Sequence, residues 1–252
     1  MKRFKPKMEI LPVAQQRLWP ELAAAQKLGF VLYGGTAIAL RLGHRPSVDF
    51  DFFSDKPLDR AAIRASFPFI EGSTVLQDRE NTFEVLVPYG ESRAQHVKVS
   101  FFGMITVGRV GEPQQTDDGV MQVASLDDLM AMKVKVLLQR VEAKDYRDIA
   151  ALVQAGISLP RGLASARAMW GEQFQPSESL KALVYFEGGD LYALTPNEKE
   201  VLVNAASAVR DLPKVEIAAV ELRTASFDCA DDDRDDDRDG DEHDPLAPRF
   251  RM

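Results

Sequence analysis

Residues 33–53 read YGGTAIALRLGHRPSVDFDFF, and this stretch decides the fold. The apolar run at residues 30–33 predicts a strand that ends in a Gly-Gly turn, and Thr36 is a suitable N-cap for a helix over residues 37–42. The SVDFDFF segment alternates with a period of two, which predicts a second strand. The order of strand, Gly-Gly turn, short helix and D-x-D strand is much more specific than either motif by itself.

The two aspartates of this stretch suggest a metal site. Asp49 and Asp51 are two positions apart, so on a strand they share one face at a spacing of roughly 6.5–7 Å. The intervening positions, Val48, Phe50 and Phe52, are then expected to face a core. Paired carboxylates on one face suit one or two Mg²⁺ ions. A solvated strand end is the bland alternative for a D-x-D motif alone.

The glycines add a phosphate site beside that pair. Gly34 and Gly35 let backbone amides at a helix N-terminus approach a triphosphate, and the helix dipole favours its negative charge. Together with the aspartates, this arrangement predicts a phosphoryl-transfer site, in which positioning and metal charge supply most of the catalysis.

Outward from this stretch, the sequence predicts a mixed α/β first half and an all-helical second half, with a boundary near residue 122. The predicted domains are residues 1–122, residues 123–223 and a disordered acidic tail at 224–252. The remaining predicted strands cover residues 74–77, 82–87 and 96–102, with loop or hairpin at 103–119. Helices are predicted over residues 15–29, 59–67, 125–156, 161–170, 178–186 and 196–209.

The long helical segment carries a second charged group of residues. Lys133, Arg140, Lys144 and Asp148 would lie within roughly 80° of one face if a single helix ran through them. The alternative is a solvated helix face with pairs such as Lys144–Asp148. Ser125 followed by Asp128 predicts the start of this helix as a capping box.

Composition limits the class of protein. The 252 residues carry a net charge of -8, but eleven acidic residues and two arginines lie between positions 228 and 244, so residues 1–227 are close to neutral. Net charge therefore neither favours nor excludes a nucleic-acid partner. Cys229 is the one cysteine, and no apolar run approaches the ~20 residues of a membrane span. We expect a cytoplasmic protein without a membrane partner, and isolated histidines argue against zinc.

At these residues the sequence resembles the AbiEii/AbiGii-type nucleotidyltransferase toxins, the toxin half of bacterial type IV toxin–antitoxin systems. The family pairs a GG-T-A and R-x-S-x-D-x-D-x-F block with a helical lysine segment that ends in K/R-D-x-x-D. The likeness covers about residues 28–210. The matching residues are Gly34, Gly35, Thr36, Arg45, Ser47, Asp49, Asp51, Lys133, Arg140, Lys144, Asp145 and Asp148.

The resemblance implies a nucleotidyltransferase fold and a role for each matching residue. Asp49 and Asp51 would bind Mg²⁺, Lys133 would meet the triphosphate, and Asp148 would orient catalytic groups. The other matching residues would bind the nucleotide. The implied substrate is a nucleoside triphosphate, the implied acceptor an RNA such as tRNA or a protein, and the implied partner a cognate antitoxin. The nucleotide-binding set is Gly34, Gly35, Thr36, Arg45, Ser47, Arg140, Lys144 and Asp145.

One position departs from the pattern of the broader fold. Many nucleotidyltransferases carry a third carboxylate on a later strand, and the expected position in HVKVSFF is Ser100. A serine hydroxyl is neither an anionic ligand nor a base near neutral pH. Either another acid takes the role, with Asp148 favoured over Glu84, or the chain is a degenerate relative that binds nucleotide or a partner without turnover. A phosphatase that uses Asp49 as nucleophile is a weaker third interpretation.

Overall fold

The structure, a computed structural model, describes residues 2–89 and 95–224. In these residues eight strands form one mixed sheet, which confirms the predicted α/β class. The strands are β1 (Arg3–Phe4), β2 (Val31–Tyr33), β3 (Asp49–Phe53), β4 (Thr74–Arg79), β5 (Thr82–Tyr89), β6 (Gln95–Phe102), β7 (Gln114–Thr116) and β8 (Gln122–Val123).

The strand β3 lies inside the sheet, whose order is β1-β7-β8-β2-β3-β6-β5-β4. It pairs antiparallel with β2 and parallel with β6, and β6 pairs antiparallel with β5. In this register Asp51 is opposite Ser100, and Ser100 is opposite Glu84 on the next strand. Because paired residues share a face of the sheet, these three side chains form one row across it.

The predicted alternation of β3 is confirmed within the strand. Phe50 and Phe52 are fully buried, and Phe52 stacks on Phe101 of β6 with ring centroids 5.6 Å apart. The expectation for Val48 is wrong, because this residue precedes the strand and its side chain is 56% exposed. The buried phenylalanines hold β3 flat against the core, so the carboxylates of Asp49 and Asp51 face the other way.

Helices flank the sheet and fill the second half of the described chain. They are α1 (Val13–Leu18), α2 (Ala24–Lys27), α3 (Gly34–Leu42), α4 (Arg60–Ser66), α5 (Leu126–Val136), α6 (Ala143–Gln154), α7 (Leu159–Trp170), α8 (Pro176–Val184) and α9 (Pro196–Ala208).

Two predicted helices are wrong as single elements. The helix expected over residues 15–29 is broken by a 3-10 turn, Trp19–Ala23, that contains Pro20, which has no N–H to donate to a helical carbonyl. The helix expected over residues 125–156 is α5 and α6 with a loop between them. Its predicted start is confirmed, since the Ser125 hydroxyl accepts a hydrogen bond from the Asp128 amide at 3.1 Å.

Buried residues of the sheet and of the helices form one continuous core. Near the end of the described chain, the Ala219 backbone pairs with Arg109, and the Thr224 amide donates to Gln122 at 3.0 Å. The chain therefore returns to the sheet after its last helix. The domain boundaries stay a prediction, and the acidic tail beyond Thr224 lies outside the described residues. None of the helices in residues 2–89 and 95–224 combines the length and the apolar character that crossing a membrane requires.

Candidate active site

One cleft of about 500 Å³ gathers most of the residues that the two sequence motifs single out. The sheet face that carries Asp49 and Asp51 forms one side, and α5, the loop after it and the start of α6 form the other. The lining residues are Gly34, Gly35, Arg45, Pro46, Ser47, Val48, Asp49, Asp51, Phe53, Glu84, Lys98, Phe102, Met132, Lys133, Val136, Gln139, Arg140 and Lys144.

The two aspartates of β3 are both partly exposed to this cleft. Burial, and after it the charge of Asp49, raises the pKa of the Asp51 carboxyl above its ordinary value, while Lys98, Lys133 and the Ser100 hydroxyl oppose the rise. Two like charges held together in a partly desolvated place are unfavourable unless a cation joins them. The pair therefore has the electrostatic character of a cation site.

The Gly-Gly turn brings the backbone against both motifs. Gly34 has a φ of +75°, and a Cβ added there would overlap Asp51 Oδ2. A Cβ added at Gly35 would lie 2.6 Å from Nη2 of Arg45. The N-cap residue of α3, Tyr33, makes no side-chain cap hydrogen bond in the described structure, so the first N–H groups of this helix can donate to an anion beside Asp51.

Thr36 does not have the predicted place in this turn. The helix begins at Gly34 with Tyr33 in the N-cap position, so the expectation that Thr36 caps a helix over residues 37–42 is wrong. Thr36 is buried, and its hydroxyl lies 2.8 Å from Ser47 Oγ and also contacts the carbonyl oxygen of Asp49. The side chain ties the start of α3 to the start of β3, while Ser47 lines the cleft.

Asp148 is the centre of a buried group of charges. Its carboxylate is 0% exposed and receives Nε and Nη2 of Arg45 at 2.7 and 2.8 Å and Nζ of Lys133 at 2.6 Å. His44 Nε2 lies 2.7 Å from the same carboxylate. Burial alone would raise the Asp148 pKa, but the charge of Lys133 and the bonds from His44 and Arg45 hold it well below its ordinary value.

Asp145 continues this group one turn earlier on α6. It accepts Nζ of Lys133 at 2.7 Å and Nε of Arg140 at 2.8 Å. Burial again opposes ionisation, yet the bonds from Arg140 and Lys133 lower the pKa of the Asp145 carboxyl. Lys144 differs from its neighbours, because it pairs with Glu142 at 2.8 Å and its side chain is about half exposed. Both Arg140 and Lys144 line the cleft.

The break between α5 and α6 does not separate the predicted residues. The prediction that Lys133 and Asp148 lie close together assumed a single helix. In the structure they are close because α6 folds back against α5 and α3. The outcome is a cleft with an acidic side at Asp49 and Asp51 and a basic side at Lys133 and Arg140.

Two further residues of the site, Lys98 and His44, were missed or given little weight at the sequence level. Lys98 is paired in register with Asp49, and its Nζ lies 2.7 Å from Glu84 Oε1. The Ser100 hydroxyl donates to the same Glu84 oxygen at 3.2 Å. His44 was treated as isolated, but it contacts Asp148 across 104 positions. The alternation in β6 could have shown that Lys98 and Ser100 share one face of their strand. The parallel pairing of β6 with β3, which brings that face to Asp49 and Asp51, could not be read from the sequence.

A model of the family described as nucleotidyl transferase AbiEii toxin, type IV toxin–antitoxin system, matches residues 18–236. An uncharacterised protein of Aquifex aeolicus (strain VF5) is 29% identical over 160 residues, which are 63% of this chain and 74% of that protein.

Among solved structures, the chain is similar to MenT4, a nucleotidyltransferase toxin from Mycobacterium tuberculosis H37Rv. The TM-score is 0.51 at 14% identity, over 76% of this chain and 82% of the other. At this identity the likeness shows a shared fold.

Proposed function

The chain belongs to the family of AbiEii nucleotidyltransferase toxins of type IV toxin–antitoxin systems, and from this premise we propose that it transfers a nucleotide from a nucleoside triphosphate to an RNA acceptor, such as a tRNA, with Mg²⁺ as its cofactor. A cognate antitoxin is the partner that such a system implies. The observation that carries the proposal is one cleft in which Asp49 and Asp51 face a basic wall that includes Lys133 and Arg140.

Asp49 and Asp51 fit a divalent cation. Neither carboxylate has a lysine, arginine or histidine nitrogen within 4.0 Å among the described residues, while the Asp51 pKa is raised. When bound there, Mg²⁺ supplies positive charge at the reacting phosphate. The described part of the chain holds no group of three His, Cys, Asp or Glu side chains that could bind a metal alone. Phosphate oxygens and water are the expected remaining ligands, as is usual for Mg²⁺.

The chain's own residues supply the triphosphate site. Lys133 and Arg140 present their charges from one side of the cleft, and the open N–H groups of α3 lie at the Gly34 turn. In the transfer, a hydroxyl oxygen of the acceptor bonds to the α-phosphorus. The bond from that phosphorus to the oxygen bridging to the β-phosphorus breaks, and pyrophosphate leaves toward the basic side.

Glu84 is the residue that we assign to the acceptor's proton. It stands in the row Asp51–Ser100–Glu84 on the cleft side of the sheet, one strand beyond Ser100, the position at which the fold pattern expects a third carboxylate. The hydroxyl proton moves to this carboxylate as the new ester bond forms. Asp148 is a poorer candidate, because Arg45 and Lys133 engage both oxygens of its carboxylate and its pKa is lowered, whereas Lys98 and Ser100 both contact Oε1 of Glu84.

The second candidate, a relative that binds nucleotide without turnover, rests on Ser100. That residue stands directly beside Asp51, where a carboxylate would complete a three-acid site. In this case the cleft would bind a nucleoside triphosphate and release it unchanged.

Transfer of label to RNA tests the proposal. Purified protein is incubated with each of the four α-labelled nucleoside triphosphates, Mg²⁺ and total RNA. We expect label on RNA, abolished by EDTA and reduced at least ~10²-fold in Asp51→Asn, which keeps the shape but removes the charge a metal needs. Without metal, Asp51→Asn should unfold at the same or a higher temperature than the wild type, because it relieves a repulsion.

The other outcomes separate the alternatives. Bound but unchanged nucleotide would support the inactive relative, and labelled nucleoside diphosphate together with free phosphate would support a phosphatase. An Asp51→Asn protein that loses several degrees of thermal stability without metal yet keeps its activity would show that the aspartate pair is structural.

A further inference from the structure

A second cavity, of about 300 Å³, adjoins the cleft and has a different chemistry. The two cavities share a wall formed by Phe53, Phe102, Met132, Val136 and Gln139. We call the second cavity the annex. Its further lining residues are Met104, Ile105, Thr106, Val107, Lys135 and Trp170.

The annex lies beyond the carboxylates along the strands. Phe53 is two positions after Asp51 on β3, and Phe102 is two positions after Ser100 on β6, so both share the cleft face of the sheet. The two rings meet edge to face with centroids 5.3 Å apart. From the glycine turn the site therefore runs past the aspartates onto an aromatic floor.

The loop at the mouth of the annex is held in an unusual conformation. Met104 has a φ of +55°, and it is the one non-glycine residue with a positive φ in the described ranges. Backbone hydrogen bonds from Met104 to Lys56 and from Ile105 to Ser54, at 2.9 and 3.0 Å, fix this turn. The Met104 side chain remains 47% exposed beside the annex. Strained backbone at a cavity is a recurrent mark of a binding site.

We infer that the annex holds the base of the nucleoside triphosphate whose phosphates occupy the cleft. The inference rests on the proposed function and deepens it. A triphosphate bound against Lys133 and Arg140, with its α-phosphate near Asp51, directs its sugar and base away from the basic end, toward Phe53 and Phe102. A largely apolar cavity with an aromatic floor suits the flat face of a base.

The polarity of the annex also predicts how it selects among bases. Thr106 and Gln139 are its uncharged polar side chains among the described lining residues. Lys135 is already engaged, since its Nζ donates to the Gln173 carbonyl at 3.1 Å. With so few donors and acceptors, stacking and apolar contact dominate, and these accept every base. We therefore expect the four nucleoside triphosphates to bind within about tenfold of one another.

Binding of ribose 5-triphosphate, which lacks a base, tests the inference against the four nucleoside triphosphates. Affinities are measured with Mg²⁺ and without RNA. The wild type should bind each nucleoside triphosphate at least about tenfold more tightly than ribose triphosphate, and Trp170→Ala should remove about tenfold of that advantage. Trp170→Phe should retain most of it. Ribose triphosphate affinity should be the same in all three proteins.

Two more variants make the result independent of folding defects. Met104→Gly deletes an exposed side chain at a φ that glycine adopts freely, so it should fold and still lose part of the base-dependent affinity. Tyr192→Ala removes a side chain that is 85% exposed and lies outside the annex, so it should bind like the wild type.

Three results would overturn the inference. Trp170→Ala and Met104→Gly could leave the advantage of a base unchanged, or weaken ribose triphosphate equally. They could instead raise KM for RNA alone, which would place the acceptor's base in the annex. If wild-type protein binds none of these triphosphates, the proposed function fails with the inference; if it binds all of them equally, the inference alone fails.

Discussion

At the scale of single residues, different surroundings shift the pKa values of two carboxylates of the site in opposite directions. Asp51 is partly buried and forms no ion pair within 4.0 Å among the described residues, and its pKa is raised. Asp148 is more deeply buried but surrounded by cations, and its pKa is lowered. Asp51 can therefore bind a cationic ligand, whereas Asp148 already holds Arg45 and Lys133 in place. The motif K/R-D-x-x-D thus supplies a support for the cations.

Glu84→Gln and Asp148→Asn should therefore both lose transfer activity, for different reasons. Glu84 is 14% exposed and pairs with a single cation, Lys98, which is 34% exposed at the cleft, so its loss should cost about 1 kcal/mol of stability. Asp148→Asn leaves Arg45, whose side chain is 16% exposed, without its carboxylate partner and leaves Lys133 with Asp145 alone, so it should cost ~3–5 kcal/mol. Urea denaturation alongside the labelled-nucleotide assay distinguishes them. A fully stable, inactive Asp148→Asn would return Asp148 to the proton-transfer role.

The pH dependence of stability follows from the same charges. The Asp148 and Asp145 carboxyls have lowered pKa values in the folded protein, so the unfolded chain binds more protons as pH falls. Their stabilising contribution is complete above the ordinary carboxyl pKa of about 4 and is lost progressively below it. The difference in unfolding free energy between wild type and Asp148→Asn should shrink from pH 7 to pH 3. A difference that stays constant over this range would contradict the assignment.

At the scale of elements, the sequence predicted the parts of the site that depend on local pattern. The alternation around Phe50 and Phe52 placed Asp49 and Asp51 on one face, and the glycine turn before α3 was found from two residues. The loop between α5 and α6 was not predictable, because no proline or glycine marks it. Short strands such as Gln114–Thr116 were also not predicted, since three residues are too few to show an alternating pattern.

The glycine turn permits a matched test. Gly34→Ala adds a Cβ that overlaps Asp51 Oδ2 and must also adopt a φ of +75°. Gly119→Ala must adopt a φ of +76°, but nothing lies within 4 Å of its Cβ. Both should lose the roughly 1 kcal/mol that positive φ costs a non-glycine residue. Nucleotide affinity, measured by titration, should fall about tenfold or more in Gly34→Ala only. An equal loss in the two variants would show that the turn does not touch the site.

At the scale of the whole molecule, the two halves share one site. The Arg45–Asp148 contact joins the loop before β3 to a helix about a hundred positions later, and the parallel pairing of β6 with β3 adds Glu84 and Lys98. Such long-range placements depend on topology, which one sequence does not state. The family resemblance nevertheless predicted a common site for Lys133, Asp148 and Asp49; the structure places Lys133 Nζ 2.6 Å from Asp148, and the shared catalytic role stays a prediction.

Two truncations test how much of the C-terminus the fold needs. Deleting residues 230–252 removes a strongly acidic segment with almost no apolar side chains, so the melting temperature and nucleotide affinity should not change. Any affinity for RNA should rise, since the deleted segment carries ten acidic residues and four arginines, a net of six negative charges. Deleting residues 217–252 also removes the buried Leu222 and the pairing of Ala219 with Arg109, and should lower the melting temperature. A large loss in the shorter deletion would show that the acidic segment packs on the fold.

Because Asp148 holds Arg45 and Lys133 in place, the protein cannot become active during synthesis before Asp148 has been added to the chain. Asp49 and Asp51, the proposed metal ligands, leave the ribosome early, while the basic side of the cleft is incomplete until α6 has emerged. A growing chain therefore carries the acidic half of the proposed site for about 100 of its 252 residues before Asp148 is made. A potentially toxic enzyme with this layout stays harmless on the ribosome, and a message cut short before α6 yields an inert product.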